Sequence, residues 1–140
     1  MIADARPKAN AIANKGRKGG FEDVSKYEES NTELIFLNID NIHVMRRSLF
    51  DMHELVRAPA RSGPVKLEEV LATGWLSYVG RLLGGAAKMV EVVGTQNRTV
   101  IVHCSDGWDR TAQLSGMVRL ANPCLTHPAP SLTHARSNVS

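Results

Sequence analysis

The chain has 140 residues, which allows one domain at most. Its hydrophobic fraction of 43% and charged fraction of 22% are ordinary for a globular protein, and two cysteines are too few for a disulfide framework and in the wrong pattern for a zinc site. A net charge of +3 favours anionic partners without choosing among nucleic acid, an acidic membrane surface and a phosphorylated substrate.

Residues 1–10 contain Asp4, Arg6, Pro7 and Lys8 and lack an apolar core, so they are not a signal peptide. Residues 9–14 are a short mixed segment. Residues 15–20, Lys-Gly-Arg-Lys-Gly-Gly, read as a flexible basic loop, and the acidic, polar stretch 21–31 reads as a loop or turns. With Arg6 and Lys8, the cations Lys15, Arg17 and Lys18 form a basic stretch that is either a solvated surface or an attractor of an anionic headgroup.

Residues 34–39 are an apolar, strand-like run. Ile42, Met45, Leu49, Met52 and Val56 recur at helical spacing, with Asn38, Asp40 or Asn41 placed to cap that helix. Residues 58–64 are rich in breakers and read as a linker. A second helix is predicted over 75–93, with an apolar face of Leu76, Val79, Leu83, Ala86, Ala87, Val90 and Val93. Gly84 and Gly85 weaken it in isolation but permit close packing. After a turn at 94–98, Thr99, Val100, Ile101 and Val102 predict a buried strand. A loop follows at 103–110 and a helix from Thr111 to about Leu120. The alternation is that of an α/β fold. From Ala121 onward Pro123, Pro128 and Pro130 interrupt a polar tail that reads as disordered. No apolar run approaches the length of a bilayer span.

The chemistry concentrates in Cys104-Ser105-Asp106-Gly107-Trp108-Asp109-Arg110. A strand delivers the cysteine, a glycine lets the chain curl, and a helix starts after the arginine. Backbone N–H groups in such a loop form a nest for a phosphate, and the helix N-terminus adds partial positive charge. Arg110 offers a planar fork for two phosphate oxygens. The same field lowers a thiol below its free value of about 8.5, so Cys104 is the candidate nucleophile for a phosphocysteine intermediate. Thr111 is placed to donate to the sulfur, and His103 to fix the loop through its ring nitrogens.

A leaving oxygen needs a proton, and two carboxyls, Asp106 and Asp109, lie inside the loop. Asp109 is the preferred general acid; Asp106 orients a water or contacts substrate hydroxyls. The plainer roles are equally concrete. Cys104 is then a small buried hydrophobe, Asp106 and Asp109 turn or cap residues, Trp108 a packing residue and His103 a structural hydrogen-bonder. His43 and His53 are ordinary helix residues, and Cys124 is either a chance cysteine or a resolving partner for an oxidised Cys104.

The segment His103 to Thr111 resembles the active-site signature of the myotubularin family of cysteine-dependent phosphoinositide 3-phosphatases. The stretches Asp4-Ala5-Arg6-Pro7-Lys8 through Asn14-Lys15, Asn41-Ile42-His43-Val44-Met45-Arg46 and Thr73-Gly74-Trp75-Leu76 are similar to that family as well. The resemblance implies an α/β, tyrosine-phosphatase-like domain, truncated at both ends: a partial phosphatase domain over 1–117 and a divergent, disordered tail over 118–140. It implies hydrolysis of the 3-phosphate of phosphatidylinositol 3-phosphate and the 3,5-bisphosphate, with Cys104 as nucleophile, Arg110 as phosphate binder and Asp109 as acid. It implies substrate contacts from Asn14, Asn41 and Ile42 and from Ser105, Asp106, Gly107, Trp108, Asp109 and Arg110. No cofactor or metal is expected. The implied partners are phosphoinositide lipids at a membrane surface and oligomers of myotubularin relatives, not nucleic acid, and the implied location is cytoplasmic, peripheral to endosomal membranes. Two other readings stand beside it: an inactive fragment or interaction module, and a protein tyrosine or dual-specificity phosphatase. Two acids in the loop suit an inositol headgroup better than a lone phosphotyrosine.

Overall fold

The computed structural model describes residues 1–17, 19–57 and 63–122. In chain order these form β1 (Ile2–Asp4), α1 (Lys8–Ala13), 3₁₀ turns at Asn14–Arg17 and Val24–Ser30, β2 (Leu34–Phe36), α2 (Ile42–Arg57), α3 (Leu67–Ala72), α4 (Trp75–Gly94), β3 (Ile101–His103) and α5 (Arg110–Ala121). The three strands make a parallel sheet in the order β2-β1-β3, with Asp4 opposite both Phe36 and His103. Parallel neighbours need crossover connections, and the helices between the strands supply them. The α/β class expected from the alternation of elements is therefore the one observed.

The C-terminal ends of the strands are laced together. Leu37 N donates to Asp4 O at 2.8 Å, Ile39 N to Ala5 O at 2.9 Å and Ala5 N to His103 O at 2.8 Å. In an open parallel sheet this edge is where loops converge on ligands. Here it gathers the residues after β1, the β2–α2 connection and the loop that opens α5.

Ala3, Ala5, Ile39 and Leu114 are essentially inaccessible and form the core with Met45 of α2 and Ala86, Met89 and Val92 of α4. Burying Ile39 and Leu114 contributes on the order of 1.5–3 kcal/mol each. Gly85 lets α4 lie close to α5. A Cβ there would sit 3.1 Å from Leu37 Cδ1 and 3.2 Å from Leu114 Cδ2, whereas one at Gly84 would meet nothing within 4 Å. Close packing is thus the role of Gly85 alone.

Several expectations need correction. The central strand, β1, and α3 both lie in stretches for which no element is predicted. At the start of α3 the Glu69 carboxylate accepts from Lys66 N at 2.8 Å, which satisfies one free backbone donor. The apolar faces are each turned by about one residue. On α2 Met45 and Ser48 are buried while Leu49 and Val56 are exposed. On α4 Gly85, Ala86, Met89 and Val92 are buried while Leu76, Leu83 and Ala87 are exposed. The run at 34–39 stops as a strand at Phe36, and Asn38 takes a left-handed φ of 56° before α2. The expected buried strand at 99–102 is β3, shifted to Ile101–His103. Among the described residues it pairs on one side only, and Ile101 is exposed. The basic loop and the stretch 21–31 contain 3₁₀ turns. The boundary drawn at 117/118 falls inside α5, which runs to Ala121. The linker residues 58–62 and the tail from Pro123, with Cys124, lie outside the described residues.

Candidate active site

The loop begins where β3 ends. Cys104 is buried at the strand terminus, and Gly107 N donates to its Sγ at 3.2 Å. Gly107 has φ +84°, a left-handed conformation that a side chain at this position would strain, and it turns the loop amides inward. Burial pushes the Cys104 thiol up. Hydrogen bonds from the Thr111 hydroxyl and backbone N–H, then from the N–H groups of Gly107 and Asp106, outweigh burial and bring the thiol down from 9.0 to about 7. The thiolate is thereby favoured over that of an ordinary cysteine. The Thr111 hydroxyl contact is loose, because Thr111 Oγ1 is buried without a hydrogen bond of full geometry. The Gly107 bond is the firmer anchor of the sulfur in this conformation. Thr111 N–H belongs to the first turn of α5, so the helix N-terminus points its donors at the anion.

Arg110, the first residue of α5, is buried with 9% of its surface exposed. Its Nη2 donates to Ser105 Oγ at 3.1 Å and its Nη1 to Ile39 O at 3.4 Å. These bonds hold the guanidinium between the loop and the β2–α2 connection. A guanidinium carries five donors, so capacity remains for phosphate oxygens.

The loop carboxyls are open to solvent. Asp109 occupies the N-cap position of α5, yet its side chain makes no capping hydrogen bond; its backbone carbonyl accepts from Gln113 N at 2.9 Å. The plain reading of Asp109 as a cap is therefore not what the structure shows, and the carboxyl is left accessible. Asp106 is likewise exposed. Trp108 is 83% exposed, which corrects the expectation that it packs.

Asn41 is the helix cap among the three candidates. Its Oδ1 accepts from His43 N at 2.9 Å and Val44 N at 3.1 Å, which leaves the amide nitrogen as a donor. Ile42 begins α2 and is half-buried. The bond from Arg110 to Ile39 brings this connection against the loop, and Arg81 holds it from α4 by contacts to Asn38 O at 3.3 Å and Asp40 Oδ2 at 3.2 Å. Asn14 stands apart. It ends α1, its carbonyl accepts from Gly19 N at 3.1 Å, and among the described residues no hydrogen bond joins it to the loop.

Two residues outside the predicted set of site residues lie beneath this site. Asp4 is fully buried, and Arg6, which was grouped with the basic surface stretch, is only 3% exposed. Arg6 donates to Asp4 through its backbone N at 3.0 Å, its Nε at 2.9 Å and its Nη2 at 2.7 Å. Arg6 lies two residues past Asp4, just beyond the end of β1, so the pair is local in sequence although nothing in the sequence marks it as buried. A hollow of about 380 Å³ lined by Lys15, Gly19, Gly20, Phe21, Glu22 and His103 opens beside the loop. A larger one of about 710 Å³ lies on the outer side of α2, among His43, Arg46, Arg47, Leu49, Phe50 and His53, and touches none of the loop residues. The reactive group is at the loop, so the larger hollow has no part in the chemistry.

Residues 1–125 match the family model described as the myotubularin-like phosphatase domain. The chain belongs to this family. Over 119 residues it is 44% identical to myotubularin of Xenopus laevis, covering 85% of this chain and 19% of that protein. Over 120 residues it is 45% identical to the phosphatidylinositol-3,5-bisphosphate 3-phosphatase MTMR2 of Mus musculus, covering 86% of this chain and 18% of that one. The chain thus spans about a fifth of the length of these relatives. The myotubularin-like match extends past Val118, in keeping with the course of α5.

Proposed function

We propose that the protein removes the 3-phosphate from phosphatidylinositol 3-phosphate and phosphatidylinositol 3,5-bisphosphate through a phosphocysteine intermediate, on a tyrosine-phosphatase-like fold. The observation that carries this reading is the Cys104 thiol, lowered to about 7 beneath the N–H groups of Asp106, Gly107 and Thr111 and beside a buried Arg110. The Cys104 thiolate attacks phosphorus, the bond from phosphorus to the inositol 3-oxygen breaks, and that oxygen takes a proton from Asp109. Arg110 and the loop amides hold the phosphoryl oxygens as charge develops on them. Water then attacks the phosphocysteine and gives a proton to Asp109, the phosphorus–sulfur bond breaks, and phosphate leaves with the thiolate restored. The accessible Asp109 carboxyl, unused as a cap, supports its part in both proton transfers. Asn41, Ile42 and Asn14 contact the inositol ring in this reading, and Trp108 and Asp106 face the headgroup from the open side of the loop. The activity for which the MTMR2 relative is named supports the choice of substrate. The lipid is met at the cytoplasmic surface of endosomal membranes, by the protein alone or paired with a myotubularin relative.

The test is phosphate release from short-chain phosphatidylinositol 3-phosphate, with Cys104→Ser as control. Release that the substitution abolishes is expected. Equal release by both proteins contradicts catalysis by this chain, and faster turnover of a phosphotyrosine peptide than of the lipid contradicts the substrate.

A further inference from the structure

The buried pair Asp4–Arg6 has no part in the steps above, yet its position is specific. Asp4 is the register partner of His103 across the β1–β3 pair. The Asp4 carboxylate takes Arg6 on one side and lies with Oδ2 3.8 Å from His103 Nε2 on the other. The opposite ring nitrogen, His103 Nδ1, lies 3.3 Å from the carbonyl oxygen of Cys104. Arg6 Nη2 also donates to Gly20 O, in the wall of the hollow beside the loop. Polar contacts, of which the 3.8 Å approach of Asp4 to His103 is the longest, therefore link Gly20 through Arg6, Asp4 and His103 to the backbone of the cysteine.

We propose that Arg6 is a positioning residue for the Cys104 loop, acting through the Asp4 carboxylate that it shares with His103 and supplying the positive charge that keeps this carboxylate from opposing the sulfur anion. The inference rests on the phosphocysteine reading. A buried, unpaired carboxylate opposite His103 would oppose an anion on the next residue, Cys104; the paired Arg6 guanidinium offsets that charge. The hydrogen bond to Asp4 raises the Arg6 guanidinium above its ordinary value; burial opposes this, and the charges of Asp4 and then Cys104 add to the rise. Arg6 and Cys104 thus attract, although the hydrogen bonds to the sulfur are the larger influence on the thiol itself. Other charged groups bear on the same loop. Asp106, Asp109 and Arg110 belong to the loop and α5. Asp40 from the β2–α2 connection is paired with Arg81 of α4 at 3.2 Å, and Lys15 stands across the hollow. None of these shares the Asp4 carboxylate, so substitutions in the pair report on the pair.

The experiment is the pH dependence of Cys104 alkylation by iodoacetamide in the wild-type protein and in Arg6→Met, Arg6→Lys and Asp4→Asn, each checked for a cooperative melt. Arg6→Met strands the Asp4 charge and raises the alkylation midpoint by about one pH unit, so alkylation below the midpoint slows about tenfold. Arg6→Lys restores most of the loss. Asp4→Asn leaves Arg6 unneutralised and moves the midpoint the opposite way, downward. Damage to the fold alone would move both variants together, so opposite shifts are the supporting result. Unchanged midpoints, or shifts in the same direction, overturn the inference while leaving the phosphocysteine reading intact. Should Arg6→Met lack a cooperative melt, Asp4→Asn decides: a downward shift supports the proposal, and an unchanged or upward midpoint overturns it. A wild-type midpoint at the ordinary thiol value would overturn the phosphocysteine reading and this inference with it.

Discussion

Cys104 and Asp109 illustrate how environment assigns roles to residues that composition leaves equivalent. A cysteine at a strand end is usually a small hydrophobe, and burial alone would push its thiol up. Here the amides of Asp106, Gly107 and Thr111 reverse that tendency. The two loop aspartates are both exposed, but only Asp109 stands at the helix start beside Arg110, and its side chain is not engaged as a cap. Asp109→Asn is therefore expected to lower kcat on phosphatidylinositol 3-phosphate by about a hundredfold or more, the scale of general acid catalysis, and Asp106→Asn by less than about tenfold. Steady-state kinetics on the two variants checks the order, and the reverse order would reassign the acid. The residues of the loop were legible in the sequence because they are contiguous; a Cys, a Gly and an Arg at this spacing before a helix state their geometry locally. Arg6 was not legible. Counted with Lys8 and Lys15 it looks like surface charge, and only the sheet reveals that Asp4 lies buried beneath it.

At the scale of elements, helical period was readable but phase was not. Leu49 and Leu83 lie at the spacing of an apolar face, yet Ser48 and Gly85 face the core instead. Hydrophobicity ranks a serine and a glycine as poor core residues. Packing chooses them because the Ser48 hydroxyl donates to Met45 O at 2.7 Å and because Gly85 admits Leu37 and Leu114. The α4–α5 contact carries a direct prediction. Gly84→Ala, with open space at its Cβ, gains helix propensity and stabilises by up to about 1 kcal/mol. Gly85→Val intrudes on Leu37 and Leu114 and destabilises by about 1–3 kcal/mol. Thermal or urea unfolding of the pair measures both signs, and equal effects would refute the packing assigned to Gly85.

For the molecule as a whole, the α/β class followed from the order of elements, but the sheet centre did not. Three residues, Ile2, Ala3 and Asp4, are too short a run to show a period, and two of the three are small or charged. Their importance is topological: β1 bonds both neighbours and so brings the segments after all three strands to one edge. That convergence places Arg110 against Ile39 O and Asp4 against His103, contacts between residues distant in sequence that no local pattern encodes. Among the described residues no helix is long and apolar enough to cross a membrane. Any lipid substrate would have to reach the loop at this edge, where Trp108 and both loop carboxyls are exposed.

The most direct test of the central claim is acid quenching of the protein during turnover of phosphatidylinositol 3-phosphate, followed by mass spectrometry of the peptide that contains Cys104. A phosphoryl group on the Cys104 sulfur, present in wild type during turnover and lost once substrate is exhausted, is the predicted result. Phosphate release with Cys104 unmodified at every quench time, or with the phosphoryl group on another side chain, would contradict it.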